Sequence, residues 1–310
     1  MYFFKDINAL QIICFTLAII IIFYLSTNNY IYRNFYENFE DNTNLTINKK
    51  FISKNNDNLY DDFYVNYYDD IFFNKSKNDF EIVNLIKNTN MNNTSYILDI
   101  GSGTGHHVSS LHAHKLKAIG IDKSNSMIIK SKNMYPALNF KKADSLNSML
   151  FFENTFTHII ALYFTIYYIK NKKLFFDNCY KWLMPGGFLS IHLVDRAKFN
   201  PIVPASDLFY HASMQDYSNE RITKSIVQFI DDNSYRAKFD YLPNNDLSIF
   251  KETFKSKNNN VRNQEHTLYM PTHESILKLA KSCGFKIIKN LDMKDIKYNY
   301  QYIYILQKPN

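Results

Sequence analysis

The chain of 310 residues is predicted to be an α/β protein with a mostly parallel sheet, and three observations point there. The β-type run Tyr96 to Ile100 meets the loop Gly101-Ser102-Gly103-Thr104-Gly105, which leads into a stretch of helical composition, His106 to Lys115. Two further short runs, Ala118 to Asp122 and Asn139 to Asp144, each end in an acid. Farther on, the turn Pro185-Gly186-Gly187 introduces the apolar run Phe188 to Val194. Short apolar strands alternating with helical stretches are the pattern of βαβ units.

Composition narrows the class. With 46% apolar and 21% charged residues the chain fills a sizeable core, which excludes disorder throughout. Cys14, Cys179 and Cys283 are too few and too scattered for a disulfide framework or a zinc ribbon. The net charge of +7 comes from 31 Lys and only five Arg spread along the chain, so a nucleic-acid partner is not expected. His112 and His114 point about 200° apart on a helix, so a metal site is not expected either.

Ile7 to Leu25 is uncharged for nineteen residues, long enough as a helix to cross a bilayer and to make the membrane a partner. The expected organisation is a transmembrane anchor over 1–28, a polar tether over 29–58 and an α/β core over 59–200. An antiparallel insertion over 201–270 follows, then the end of the core over 271–310. The insertion rests on turn signals at Asp231-Asp232-Asn233, Pro243-Asn244-Asn245 and Lys257 to Asn260, which separate β-type runs. Thr272 suits a helix N-cap, Gly284 its left-handed end, and Phe285 to Met293 with Gln301 to Lys308 read as two last strands.

A glycine loop between strand and helix lets the backbone approach a ligand at a helix N-terminus. A triphosphate loop ends in Gly-Lys-Ser/Thr, but Gly105 is followed by His106 and His107. A dinucleotide loop needs Gly or Ala where this chain has His106. The remaining pattern is an acid, Asp99, before Gly-x-Gly-x-Gly. In this pattern, and in Asp122, Asp144 and Pro185-Gly186-Gly187 at matching distances, the chain resembles the class I S-adenosylmethionine-dependent methyltransferases. The resemblance implies a Rossmann-like sheet of seven strands with helices on both faces. It implies S-adenosyl-L-methionine as cofactor, held by Asp99, Gly101, Ser102, Gly103, Thr104, Gly105, Asp122, Lys123, Asp144 and Ser145. Asp122 would take the ribose hydroxyls and Asp144 the adenine amino group. The segment Asp62 to Asp69 looks like the family's cover over the cofactor, with Tyr68 facing the methionine tail. Cytosolic supply of that cofactor and the free thiols favour a cytosolic domain.

Ligands of open α/β sheets bind beyond the carboxyl ends of the strands. The acceptor is therefore expected beside Tyr163 to Tyr168, with Tyr163 and Tyr167 in contact, and beside Asp195 and Arg196. Arg236 and Arg262 of the insertion are candidates for holding a carboxylate. His192, Asp195 and His266 are candidates for a base, although a histidine inside a strand reads equally well as a core residue. The segment after the fourth strand lacks the Asn/Asp-Pro-Pro-aromatic motif of enzymes that methylate amino groups of DNA bases or glutamine. The leading expectation is transfer to an N or O atom of a small molecule. A protein or nucleic-acid methyltransferase and a non-catalytic membrane-anchored binder are the alternatives.

Overall fold

The run Tyr96–Ile100 forms β2, with every residue after Tyr96 buried, and Phe156–Ala161 forms β5, equally enclosed. Continuous burial means that both faces of these strands are covered, the condition for a parallel sheet. This computed structural model describes residues 51–201, 218, 220–228 and 234–310. The apolar stretch Ile7 to Leu25 lies outside them, and among the described residues no helix is long and apolar enough to cross a membrane.

Seven strands make the main sheet. From one edge to the other they are β11 (Lys286–Asp292), β12 (Gln301–Gln307), β6 (Leu183–Val194), β5, β2, β3 (Lys117–Asp122) and β4 (Asn139–Lys142). The order runs outward from β2 in both directions, and β12 alone lies antiparallel to the strands beside it. The strand period of two sorts the apolar side chains into two cores. Leu98, Ile100, Ile159 and Ala161 face one cluster, whereas Ile97, Ile160 and Leu162 face the other with Leu85, Ile303 and Ile305.

The helices are α1 (Asp62–Phe72), α2 (Lys75–Thr89), α3 (His106–Ala113), α4 (Asn125–Met134), α5 (Thr165–Tyr168), α6 (Lys172–Trp182) and α7 (His273–Ser282). Side-chain caps set where several of them begin. Asp61 accepts from Tyr64 N, Asn74 from Lys77 N, Ser124 from Met127 N and Thr272 from Ser275 N. Gly284, at φ +99°, follows α7 as its sequence suggested.

A second sheet has the order β1 (Phe51–Asn55), β10 (Val261–Tyr269), β9 (Leu247–Lys255), β8 (Ser234–Leu242), β7 (Lys224–Gln228). β7 to β10 are antiparallel, and β1 joins β10 in parallel. The tether expected as far as residue 58 therefore gives way to a strand at Phe51. Its side chains alternate between exposed and half-buried with no apolar period, so only the pairing with β10 reveals it. On β9 and β10 the inward residues alternate: Ser248, Phe250, Glu252 and Phe254, then Arg262, Gln264, His266 and Leu268. Phe239, Phe250, Phe254 and Leu268 belong to the same core cluster as the main sheet, so the second sheet packs over the carboxyl ends of the first sheet's strands.

Candidate functional site

Where β2 ends, the chain must turn sharply into α3. Gly101 stands at φ +72°, and a Cβ there would lie 2.5 Å from Thr165 Oγ1, so only glycine fits. Gly105, at φ +94° just before α3, would drive a Cβ into Phe140 at 2.6 Å. Gly103 differs, because a Cβ on it would meet only Tyr68, at 3.8 Å, which leaves open room over the loop. Gly101, Ser102, Gly103 and Thr104 line a cavity of about 560 Å³, whereas Gly105 lies behind it as the start of the helix.

The acids at the strand ends surround this room. Asp122, at the end of β3, is held by backbone donors: Gly103 N at 3.0 Å on Oδ2 and Ser124 N at 2.8 Å on Oδ1. Burial raises its pKa, and these donors hold it back. Both oxygens keep lone pairs for further donors, the chemistry a vicinal diol requires. Asp144 accepts from Leu146 N at 2.9 Å and lies 3.7 Å from Lys123 Nζ, and Ser145 follows it. All four of these residues line the cavity. Asp99 is fully buried behind the loop and does not line it; its Oδ2 has no hydrogen-bond partner among the described residues. Burial pushes its pKa up to about 6, opposed by His107 and reinforced by Asp122 and Glu81.

α1 lies across the loop as a cover. Thr104 Oγ1 donates to Asp69 Oδ1 at 2.6 Å, and His106 Nε2 is 3.2 Å from Asp69 Oδ2 with Phe73 stacked on its ring at 3.6 Å. Tyr60, Tyr64, Tyr68 and Phe72 recur every four residues, forming a ladder with ring centroids 5.5, 6.0 and 5.0 Å apart. All four line the cavity, and Tyr68 stands beside Gly103. Beneath the loop a buried ionic chain supports α2 and α3. Lys77 Nζ is 2.5 Å from Glu81 Oε1, and Glu81 Oε2 is 2.8 Å from His107 Nε2. Despite its burial Glu81 has its pKa lowered to about 2 by Lys77 and His107.

Beyond the loop, Tyr163, Phe164, Thr165 and Tyr168 form the expected aromatic wall, and Phe239, Phe250 and Thr267 to Tyr269 of the second sheet close the far side. Several expected contacts fall elsewhere. Tyr167 is buried and accepts from Val194 N at 2.8 Å, bracing β6. His192 does not line the cavity; its Nδ1 donates to Tyr163 O at 2.6 Å, and burial pushes its pKa down to about 4. It is therefore neutral, and it pins Tyr163 in the left-handed turn at φ +51°. Asp195 caps the turn after β6 by accepting from Ala197 N at 3.1 Å. Arg196 is bound to Met270 O and Asp246, both at 2.5 Å. Arg262 fastens the start of α1 through Asp61 at 2.8 Å and Leu59 O at 3.0 Å. Arg236 lies on β8 opposite Thr253, and neither it, Asp195, Arg196 nor Arg262 lines the cavity. Each guanidinium or acid placed at the acceptor by sequence is thus committed to the scaffold or set apart from the cavity.

His266 does not itself line the cavity but is brought behind Tyr168, which does, through partners that sequence reasoning missed. Its Nδ1 is 2.8 Å from Tyr168 Oη, and its Nε2 is 2.5 Å from Glu252 Oε2. Glu252 is fully buried and also accepts from Tyr64 Oη, Tyr235 Oη and Gln264 Nε2 at 2.6–2.7 Å. The strand alternation that puts Glu252 between Phe250 and Phe254 on the apolar face was the available signal. For the aromatic cover the signal was the spacing of four.

The residues present fit S-adenosylmethionine: a glycine loop with room above it, a backbone-held acid for a diol, and a second acid one strand away. No curated protein matches the chain. Many solved structures share its fold, three of them as follows. A methyltransferase from Clostridium acetobutylicum is 16% identical over 80% of this chain and 98% of its own, with a TM-score of 0.61. The sugar N-methyltransferase KedS8 from a Streptoalloteichus species is 16% identical over 80% and 93%, at 0.59. An S-adenosylmethionine-bound amino pentose methyltransferase of calicheamicin biosynthesis, from Micromonospora echinaspora, is 12% identical over 80% and 97%, at 0.57. Residues 97–187, the stretch that holds the loop, Asp122 and Asp144, match the methyltransferase domain family. That stretch is a methyltransferase domain, and together with the cavity's fit and the shared fold it supports a class I S-adenosylmethionine-dependent methyltransferase.

Proposed function

We propose that the enzyme methylates an N or O atom of a small-molecule acceptor by in-line displacement. The carrying observation is that one cavity runs from the glycine loop to the second sheet, with a volume of about 560 Å³ typical of small-ligand sites. Its far wall is apolar and aromatic, built by Phe72, Phe164, Phe199, Phe239 and Phe250. Among the described lining residues the carboxylates Asp69, Asp122 and Asp144 outnumber the ammonium groups of Lys123 and Lys170, a poor match for a polyphosphate strand. The sugar N-methyltransferase among the structural neighbours supports the same direction. When bound, S-adenosylmethionine supplies a methyl group on a sulfonium, made electrophilic by that charge. The protein's own part is to hold the ribose on Asp122, the adenine amino group on Asp144 and the methionine tail under Tyr68, aligning the methyl with the acceptor. Ile7 to Leu25 anchors the enzyme to a membrane, with the catalytic domain in the cytosol.

Calorimetry of the full chain with S-adenosylmethionine, then labelled methyl transfer to pooled metabolites, peptides and RNA, tests the reading. Heat and a labelled small molecule are expected; label on peptide or RNA alone overturns the acceptor class. Removing residues 1–28 should release the enzyme from membranes, and glycosylation at Asn44 of the sequon Asn44-Leu45-Thr46 in cells would overturn the cytosolic assignment.

A further inference from the structure

The aromatic wall contains one group placed to move a proton. Tyr168 lines the cavity and is 37% exposed, while its hydroxyl lies 2.8 Å from His266 Nδ1. His266 is buried, and its other nitrogen meets a Glu252 carboxylate that has no exposure. An ionised Glu252 only accepts, so His266 Nε2 carries the hydrogen toward it and Nδ1 is left to accept from Tyr168. We propose that Tyr168 is a catalytic residue that receives the acceptor's proton and passes its own to His266, which Glu252 positions. This deepens the reading of the cavity as an acceptor site and rests on it.

The step balances. The acceptor's N or O forms its bond to the methyl carbon as the S–C bond breaks, leaving a neutral thioether. The acceptor's proton goes to Tyr168 Oη, the tyrosine's proton goes to His266 Nδ1, and the resulting imidazolium is offset by Glu252. The proton returns to solvent when product leaves. Four neighbours brace the relay. Tyr60 lies 6.0 Å from both the Tyr168 and His266 rings, Tyr64 and Tyr235 donate to Glu252, and Gln264 Nε2 completes its shell. Burial raises the Glu252 pKa, but His266 first, then hydrogen bonds from Tyr235 and Gln264, outweigh it and lower it. Tyr168 is held protonated by its surroundings, so it serves as a shuttle and not as a standing phenolate. The relay is independent of His192 and Asp195, which lie outside the cavity.

The deciding experiment is nitrogen NMR of the full chain with labelled histidine, with and without S-adenosylmethionine. His266 is expected neutral with its hydrogen on Nε2, and Tyr168→Phe should shift Nδ1 by removing its donor. A hydrogen on Nδ1, or a fixed imidazolium across about pH 5 to 8, overturns the relay. Transfer from labelled cofactor to a pool of phenols and primary amines adds the kinetic arm. Tyr168→Phe and His266→Gln should each lower kcat by about 100-fold with cofactor affinity unchanged. Wild-type turnover in either variant overturns the proposal. If the wild type binds cofactor yet methylates none of the pool, that result counts against the acceptor class, and the position of the His266 hydrogen decides the relay.

Discussion

The loop end of the cavity is built from backbone and neighbouring residues, whereas the end at Tyr168 is built from side chains brought together from far apart. The loop Gly101 to Thr104 and the acid Asp122 are joined by a single hydrogen bond across one strand pair. Tyr168 reaches a histidine 98 residues farther along, which in turn needs a glutamate from the adjacent strand. Their buried charges differ as well. Glu81, under the loop, sits between Lys77 and His107, while Glu252 is surrounded by His266 and by neutral Tyr and Gln donors. A buried carboxylate opposite a full cation is a rigid support, whereas one opposite an ionisable ring and hydroxyls can accommodate a proton that comes and goes.

Glu81→Gln should reveal that difference most strongly. It strands a buried ammonium and is expected to cost roughly 3–5 kcal/mol in denaturant unfolding. Glu252→Gln loses charge opposite mainly neutral donors and should cost less, about 1–3 kcal/mol; the reverse order would break the comparison. Asp99 gives a pH test. Its proton is held more tightly in the folded chain, up to about 6 against 3.8, so its contribution to stability falls as pH rises through that window and stays lower above it. Asp99→Asn should therefore gain roughly 3 kcal/mol over the wild type above the window and little below it, as read from unfolding across pH. Asp122→Ala is expected to weaken cofactor binding by roughly 1–3 kcal/mol in calorimetry. Gly101→Ala, strained in backbone and crowding Thr165, should weaken it by a similar amount. Asp195→Ala should alter binding and turnover by less than about 0.5 kcal/mol, because the residue lies outside the cavity.

Legibility in the sequence followed the same division. The loop, Asp122 and Asp144 were readable because each is a local pattern, glycines at fixed spacing or a strand ending in an acid, and the seven-stranded sheet followed from the family resemblance those patterns carry. Tyr68 was readable from its segment, and Tyr60, Tyr64 and Phe72 could have been, since a spacing of four shares one helix face. The Tyr168 end is not legible in the same way, because a charged residue type does not show in the sequence whether its partner is a ligand or the scaffold. Arg262 and Arg196 are instead bound to carbonyls and acids of the scaffold, and His192 is a neutral pin under Tyr163.

The sequence by itself determined the kind of fold and, through the family it resembles, the cofactor, because a glycine that must adopt positive φ and an acid that must end a strand are requirements of a few neighbouring residues. The tertiary structure decided which polar side chains face the cavity and which brace its walls. That depends on the register of β9 against β10 and on where the second sheet packs, and no residue specifies either alone. A one-residue slip in that register would put Glu252 and His266 on opposite faces of the sheet, leaving the histidine behind Tyr168 without its carboxylate.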